Sequence, residues 1–345
     1  MTGDAYKPHA SRDDAAEARY HRTAFLVMMT LFIIAPALVY PVFVMKALCF
    51  ALFACAFNLL LGFGGLLSFG HSMFLGMAGY FCAHLAKVGF VLDAIHVKSV
   101  VIPVGIAIAP LPPELAILFA VLATTLMGFL TGLLAIRRQG IYFAMITLAL
   151  AQMVYFFCLQ VPFTGGEDGI QSVPRGKFFG LLDLKNTLVL YYVVLAIFTA
   201  GFLLVYRIIH SPFGQVLKAI RENEPRAISL GYRTEHYKLA AFVLSAALAG
   251  LAGATKSIVF ELASLTDVHW SMSGEVVLMT LLGGMGTIFG PVVGAFTIIT
   301  MENYLAELGS WFTITQGAIF VVCVLAFRRG IIGELEAWLR RRRGG

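Results

Sequence analysis

The chain has 345 residues, a formal net charge of +6 and a charged fraction of only 13%, roughly half that of an ordinary soluble domain. Apolar and aromatic residues make up 59% of it. A water-soluble fold of this length could not hide so much, because folding buries only about three quarters of the exposable surface. Much of the surface must face lipid. The positive charges sit in a few stretches between apolar runs, as membrane topology requires, and this excludes a nucleic-acid patch.

Residues 1–23 are polar, with Lys7, Arg12, Arg19 and Arg22, and read as a solvated cytoplasmic tail. The apolar run from Ala24 to Met45 has the length of a membrane span. Ala35-Pro36-Ala37 resembles a signal-peptide cleavage site, but the leader is long and polar and the run continues past it, which favours a span. Further apolar runs lie at 47–67, 68–86, 114–136, 140–160, 187–207, 239–258, 275–286, 288–304 and 312–327. The stretch 100–110 is too short to cross and reads as an outer loop or interfacial segment. Gly and Pro interrupt many runs, a feature tolerated where protein or a water-filled path surrounds the broken helix.

Lys and Arg in the short loops set the orientation. The N-terminal tail, Arg137-Arg138, the loop 208–238 and the tail 329–345 are basic and are expected in the cytoplasm, together with both termini. The loops 261–274 and 300–311 carry acids without Lys or Arg and are expected outside, as is the turn Thr164 to Gly169. Ten spans satisfy these placements, provided 275–304 is two helices joined near Gly286. The expected fold class is an all-α polytopic membrane protein of about ten transmembrane helices, some short or Gly-broken. A transmembrane domain would cover 24–328. Cys49, Cys55, Cys82, Cys158 and Cys323 all lie in apolar runs and read as small packed hydrophobes.

No P-loop, no His-Glu-x-x-His and no Gly-x-Ser-x-Gly occurs, and no carboxylate cluster suggests chemistry, so an enzyme is not expected. The longest polar segment inside the apolar body is Ser211 to Gly231. Ser211 followed by Pro212 is a helix start, a hydroxyl cap and then proline at the first helical position. Val216, Leu217 and Ile220 form one apolar stripe, while Lys218, Arg221 and Glu222 face elsewhere. Pro225 ends or kinks this helix, and Ala227 to Gly231 would form a second short one. The plain reading is a surface-lying loop helix. The sharper one is a docking helix for a cytoplasmic motor, carried by Ser211, Gly214, Leu217, Ile220, Arg221, Glu222, Asn223, Glu224, Ala227 and Gly231.

The segment Ala219 to Ala227, followed by Leu230-Gly231 and Tyr237 to Phe242, resembles the cytoplasmic loop of the branched-chain amino-acid ABC importer permeases, the LivM-like half. Three further blocks are similar to that family: Asn58 to His71 with Gly76 and Gly79; Gly140 to Ala149 with Thr164 to Gly169; and Leu282 to Pro291. The resemblance covers roughly 50–330. It implies an inner-membrane permease that pairs with a second permease (a hetero-dimer), two cytoplasmic ABC ATPases and an external solute-binding protein. ATP and Mg would sit on the partners, with no cofactor on this chain. The solute would be a branched-chain amino acid; urea and short amides use similar permeases. One departure is plain. The general importer loop Glu-Ala-Ala-x-x-x-Gly survives only as Ala227 and Gly231, with Pro225 in place of the acid.

The glycines also have a reading of their own. Gly62, Gly64, Gly65, Gly70, Gly76 and Gly79 permit close helix contact or an unwound backbone along a path. Ser68, His71 and Ser72 put polar groups beside them, where facing lipid would be costly. Candidate path residues are therefore Gly64, Gly65, Ser68, His71, Gly283 and Gly284. Asn58 and Gln152 are expected to bond between helices, Lys256 to snorkel at the outer end of its span, and Glu275 to mark a helix start. The competing class is an ion-coupled carrier, which would need buried acids or His in its span centres; only His71 qualifies.

Overall fold

The computed structural model describes residues 12–97, 100–108, 110–138, 140–305, 311, 314–315, 317–318, 321, 325 and 330–334. The expected span 312–327, most of the basic C-terminal tail, Cys323 and residues 1–11 lie largely or wholly outside that set.

Helix α1 (Arg12–Leu38) is followed at once by α2 (Pro41–Asn58). The sequence placed that boundary after Met45. It falls at Val39-Tyr40, where Pro41 starts α2 at the first helical position, the place where a missing N–H and a fixed φ fit best. The helix also reaches back into the segment read as a tail. From Val44 to Asn58 every residue of α2 except Lys46 is buried. A helix that is apolar and covered all round belongs at the centre of a bundle. The next helices are α3 (His71–Lys87), α4 (Pro113–Ala135), α5 (Ile141–Gln160) and α6 (Thr187–Ile209). A surface pair, α7 (Pro212–Glu222) and α8 (Glu224–Ser229), leads into α9 (Thr234–Phe260). The last are α10 (Trp270–Gly283) and α11 (Gly290–Leu305). Within the segment 100–110, Val100–Ile108 forms strand β2, paired antiparallel with β1 (Phe90–Val97).

Small residues hold the helices together. On α4 a side chain at Gly128 would come within 2.5 Å of Ala246 Cβ, and one at Gly132 within 2.8 Å of Leu239. Gly253 on α9 lies directly against the backbone of Leu75 on α3. Lipid supplies no hydrophobic drive between apolar helices, so backbone approach of this kind, with its dispersion contacts, carries the association. The outer faces bear the residues that lipid would cover: Leu118, Phe119, Leu122 and Leu126 on α4, and Met145, Met153 and Phe156 on α5 are all exposed.

Among the described residues, six helices are long and apolar enough to cross a membrane: those containing His21–Leu38, Pro41–Phe63, Pro113–Ala135, Ile141–Gln160, Thr187–Ile209 and Thr234–Phe260. Helices α3, α10 and α11 are shorter, at 17, 14 and 16 residues. Nevertheless α10 and α11 run the length of the bundle beside α2. The break between them is bonded to Asn58 at one end of α2, and Glu302 near the end of α11 meets Lys46 near the other. The stretch 275–304 is thus two helices, as expected. Four cysteines, Cys49, Cys55, Cys82 and Cys158, are free and buried, the packing role expected of them.

Candidate functional site

Two breaks in the helical backbone meet at the α7 end of the bundle. The first follows α2. After Asn58 the helix widens into a π turn, Leu59–Phe63, and ends at Gly64 and Gly65. Gly65 has φ +68°, a left-handed conformation that a side chain would strain, and Leu66 N–H closes back on Leu60 O at 3.2 Å. A non-helical stretch then runs to His71, where α3 begins. The second break is the turn between Gly283 and Gly290. Gly284 and Gly286 take φ +125° and +79°, and Thr287 Oγ1 accepts from Gly290 N–H at 3.1 Å.

Asn58 ties these breaks together. Its Nδ2 donates to Thr287 O at 2.8 Å, and its Oδ1 accepts from Gly286 N–H at 3.0 Å. The expected interhelical bond is present, but it goes to unwound backbone. Gly62 must stay bare, since a Cβ there would collide with the Asn58 amide and come 2.7 Å from Gly286 N. Asn58 is only 2% exposed. Asn58→Ala should therefore strand two backbone groups, costing on the order of 1–3 kcal/mol for each. Thermal unfolding of the purified protein in detergent measures this; an unchanged midpoint would remove Asn58 from the clamp.

Helix α7 closes over this junction. Ser211 Oγ accepts from Gly214 N–H at 3.3 Å, which is the cap expected for it. Gly214 must also be small, because a Cβ would come 2.5 Å from Ile208 O. Asn223 ends α7, and its side chain caps α8 by accepting from Arg226 N–H at 3.1 Å. Arg221 Nη1 donates to Gly62 O, and its stem lies 3.0 Å from where a Gly65 Cβ would be. Lys218 sits over the Phe63 ring at 5.5 Å. Three blocks far apart in sequence thus share one site: the glycines after Asn58, those around Gly286, and the 211–231 segment.

The apolar stripe needs correcting. Leu217 and Ile220 were expected to enter a groove on a partner. They are 0% and 2% exposed within this chain and anchor α7 to its own bundle. Burial against the nearest apolar surface satisfies them first. Ala227 is also buried, and Glu224 meets Lys238 at 2.6 Å, which fastens α8 to α9. The exposed side is different: Glu222, Arg226 and Gly231 are on it, with Ile228 and Leu230 projecting at 55% and 70% exposure. Pattern reading missed the last two, since two apolar residues in so short a helix make no stripe. Gly231, at φ +88°, ends α8 with Gly231 N–H on Ile228 O at 2.9 Å and Tyr232 N–H on Ala227 O at 3.1 Å.

The remaining path candidates are Ser68 and His71, which follow the first break, and Gly283 and Gly284, which open the second. Ser68 is fully buried, and its hydroxyl accepts from Gly70 N–H at 3.2 Å, within its own loop. His71 is fully buried in a cage of Phe57, Phe74 and Phe242. Its Nε2 lies 2.8 Å from Ser245 Oγ, which in turn donates to Ala56 O, so the ring joins α2, α3 and α9. Gly283 and Gly284 are hemmed in by backbone: that of Gly290 and Gly294 meets Gly283, and Gly330 reaches Gly284.

Apolar helices broken at glycines, with an amphipathic helix clamped across both breaks, define a multi-pass membrane permease. The chain belongs to the family described as the branched-chain amino acid transport system permease component, whose model matches residues 42–326. It is 26% identical over 240 residues to the high-affinity branched-chain amino acid transport system permease protein LivM of Escherichia coli. That match covers 63% of this chain and 56% of LivM, little more than half of the relative's length. It is also 27% identical over 281 residues to the ribose import permease protein RbsC of Bacillus subtilis, covering 77% of this chain and 81% of RbsC. The autoinducer 2 import system permease protein LsrC of Salmonella typhi is 26% identical over 234 residues, 65% of this chain and 66% of LsrC. No solved structure matches the chain.

Proposed function

We propose that this chain is one membrane-spanning half of an ATP-driven importer in the inner membrane, carrying branched-chain amino acids or related small solutes. The family membership and the LivM likeness support the solute class. RbsC and LsrC, named for ribose and autoinducer 2, mark a second alternative; urea and short amides are a third. Its partners are a second permease, two cytoplasmic ATPases that hold ATP and Mg, and an external solute-binding protein.

The observation that carries this reading is the junction of α7 with both backbone breaks. A motor outside the membrane can move helices within it only through a rigid surface element. The 211–231 segment is capped at both helix starts and anchored by Leu217 and Ile220. It is tied by Arg221 to the backbone at Gly62. Motion of α7 would reach Gly65 and Gly286 directly. The basic loops support a cytoplasmic position for this end. The test is co-expression with the partner subunits and uptake into proteoliposomes with and without ATP. ATP-dependent uptake that needs the binding protein supports the reading; uptake without ATP would make the chain a carrier. Orientation is checked by a single cysteine at position 233, which should resist a membrane-impermeant reagent added outside.

A further inference from the structure

We propose that the short hairpin ahead of α6 is an anchor in the headgroup layer of the bilayer. Phe179 and Leu181 enter the lipid, and Lys177 and Lys185 meet lipid phosphates. The inference stands on the membrane-spanning fold and does not need the importer reading.

The hairpin lies at the end of the bundle remote from α7, because α6 begins just after it and α7 follows the other end of α6. Its two strands, Lys177–Phe178 and Leu182–Asp183, pair antiparallel. Leu181 N–H donates to Phe178 O at 3.2 Å, and the two residues between them, Phe179 and Gly180, take φ +51° and +72°. Gly, Asn and Asp serve such a turn, whereas a bulky aromatic is strained at positive φ. The turn gains nothing from a phenyl ring at this position, so the contribution of that ring lies outside the turn. The tip is also bare. Leu181 is 88% exposed, Phe179 68% and Leu182 45%. Phe179 meets the Phe178 ring edge-on, at 4.8 Å between ring centres.

Lipid is the occupant that the surroundings favour. The base of the hairpin is fastened between two spans. Phe178 and Leu184 line one small apolar crevice with Ile117 of α4, Leu190 of α6 and Ile258 of α9. A Cβ at Gly176 would come 3.1 Å from Pro113, the first residue of α4. The first turns of α4 and α6 are themselves exposed and apolar, at Leu115, Leu118, Leu188 and Tyr192. The tip thus sits where their lipid-facing surface starts. Lys177 and Lys185 are exposed beside it, with the Asp183 carboxylate between them accepting from Lys185 N–H at 3.0 Å. Aromatic and aliphatic side chains, with lysines whose stems reach back to water, are the mixture that the headgroup layer accepts. A soluble partner would return the tip to water each time it left, whereas lipid is always present.

The test uses the full chain in lipid nanodiscs. Leu181→Trp reports on the tip, with the emission of the unaltered protein subtracted for its three tryptophans. Lipids brominated near the headgroup end of their chains should quench that signal by half or more, and iodide in the water should leave it unchanged. Quenching by iodide and none by bromine overturns the anchor and leaves the tip as a surface for a soluble partner. Phe179→Asp, added to the reporter, separates insertion from folding. Aspartate tolerates positive φ and suits the turn, so folded yield should hold. Its charge should draw the tip out of the lipid, so that bromine quenching is lost and iodide quenching appears. Bromine quenching that persists in this variant would show that the bundle, not the side chains of the tip, sets its depth, and would overturn the proposal.

Discussion

Ile228→Asp and Leu230→Asp, made singly, are expected to abolish recovery of the ATPase with the permease while membrane insertion stays normal. Ile228 on α8 and Leu230 at its C-cap are exposed, at 55% and 70%. Their replacement leaves no buried charge in the free subunit. In a docked complex each would contribute about 1.5–3 kcal/mol by burial, and an aspartate there would add an unpaired charge to a drying interface. A fall in ATPase affinity of at least tenfold is the expected size. Leu217→Asp and Ile220→Asp should behave in the opposite way. Each puts a carboxylate into the apolar contact of α7 with its own bundle, so folded protein is lost before any docking can be measured. Co-purification with the ATPase, alongside yield from the membrane, separates the two classes. Full ATPase recovery and full uptake in both exposed variants would show that α8 is only a connector.

Arg221→Ala is expected to cut uptake by tenfold or more while the ATPase still binds. The guanidinium is the link between α7 and the backbone at Gly62, and its stem rests on Gly65. Without it, α7 can move and leave the breaks behind. Arg221→Lys should not restore transport, because a compact ammonium lacks the planar reach of the guanidinium to that carbonyl. Gly65→Leu should end in the same place by another route. It adds a side chain where φ is +68° and pushes against the Arg221 stem. Lys218→Ala serves as the comparison: it removes a charge from the same helix but only a cation–π contact with Phe63, worth about 0.5–1 kcal/mol at an exposed site. The measurement pairs uptake with ATP hydrolysis in the same vesicles. Normal uptake by Arg221→Ala would remove the link from the mechanism.

The linear order of residues by itself determined the class of molecule. Composition demanded lipid, because water cannot cover so much apolar surface, and charge in the short loops demanded a many-span topology. It also determined where α7 starts, since Ser211 and Pro212 act through local geometry that needs no distant partner. The two-helix reading of 275–304 was legible for the same reason: the glycines around Gly286 interrupt a helix wherever they occur. What the tertiary structure alone decided is which surface each residue meets. The stripe of Leu217 and Ile220 is visible in sequence, but a stripe does not say whether it faces its own bundle or another protein. The Arg221 contact joins positions 159 residues apart, and the Asn58 contacts join positions 228 and 229 apart. No periodicity in one segment encodes such a distance. Lys256 and Glu275 read as ordinary boundary residues because hydropathy records how polar a position is, not whether its charge is matched. Only folding Asp267 back onto Lys256 gives that ammonium its partner.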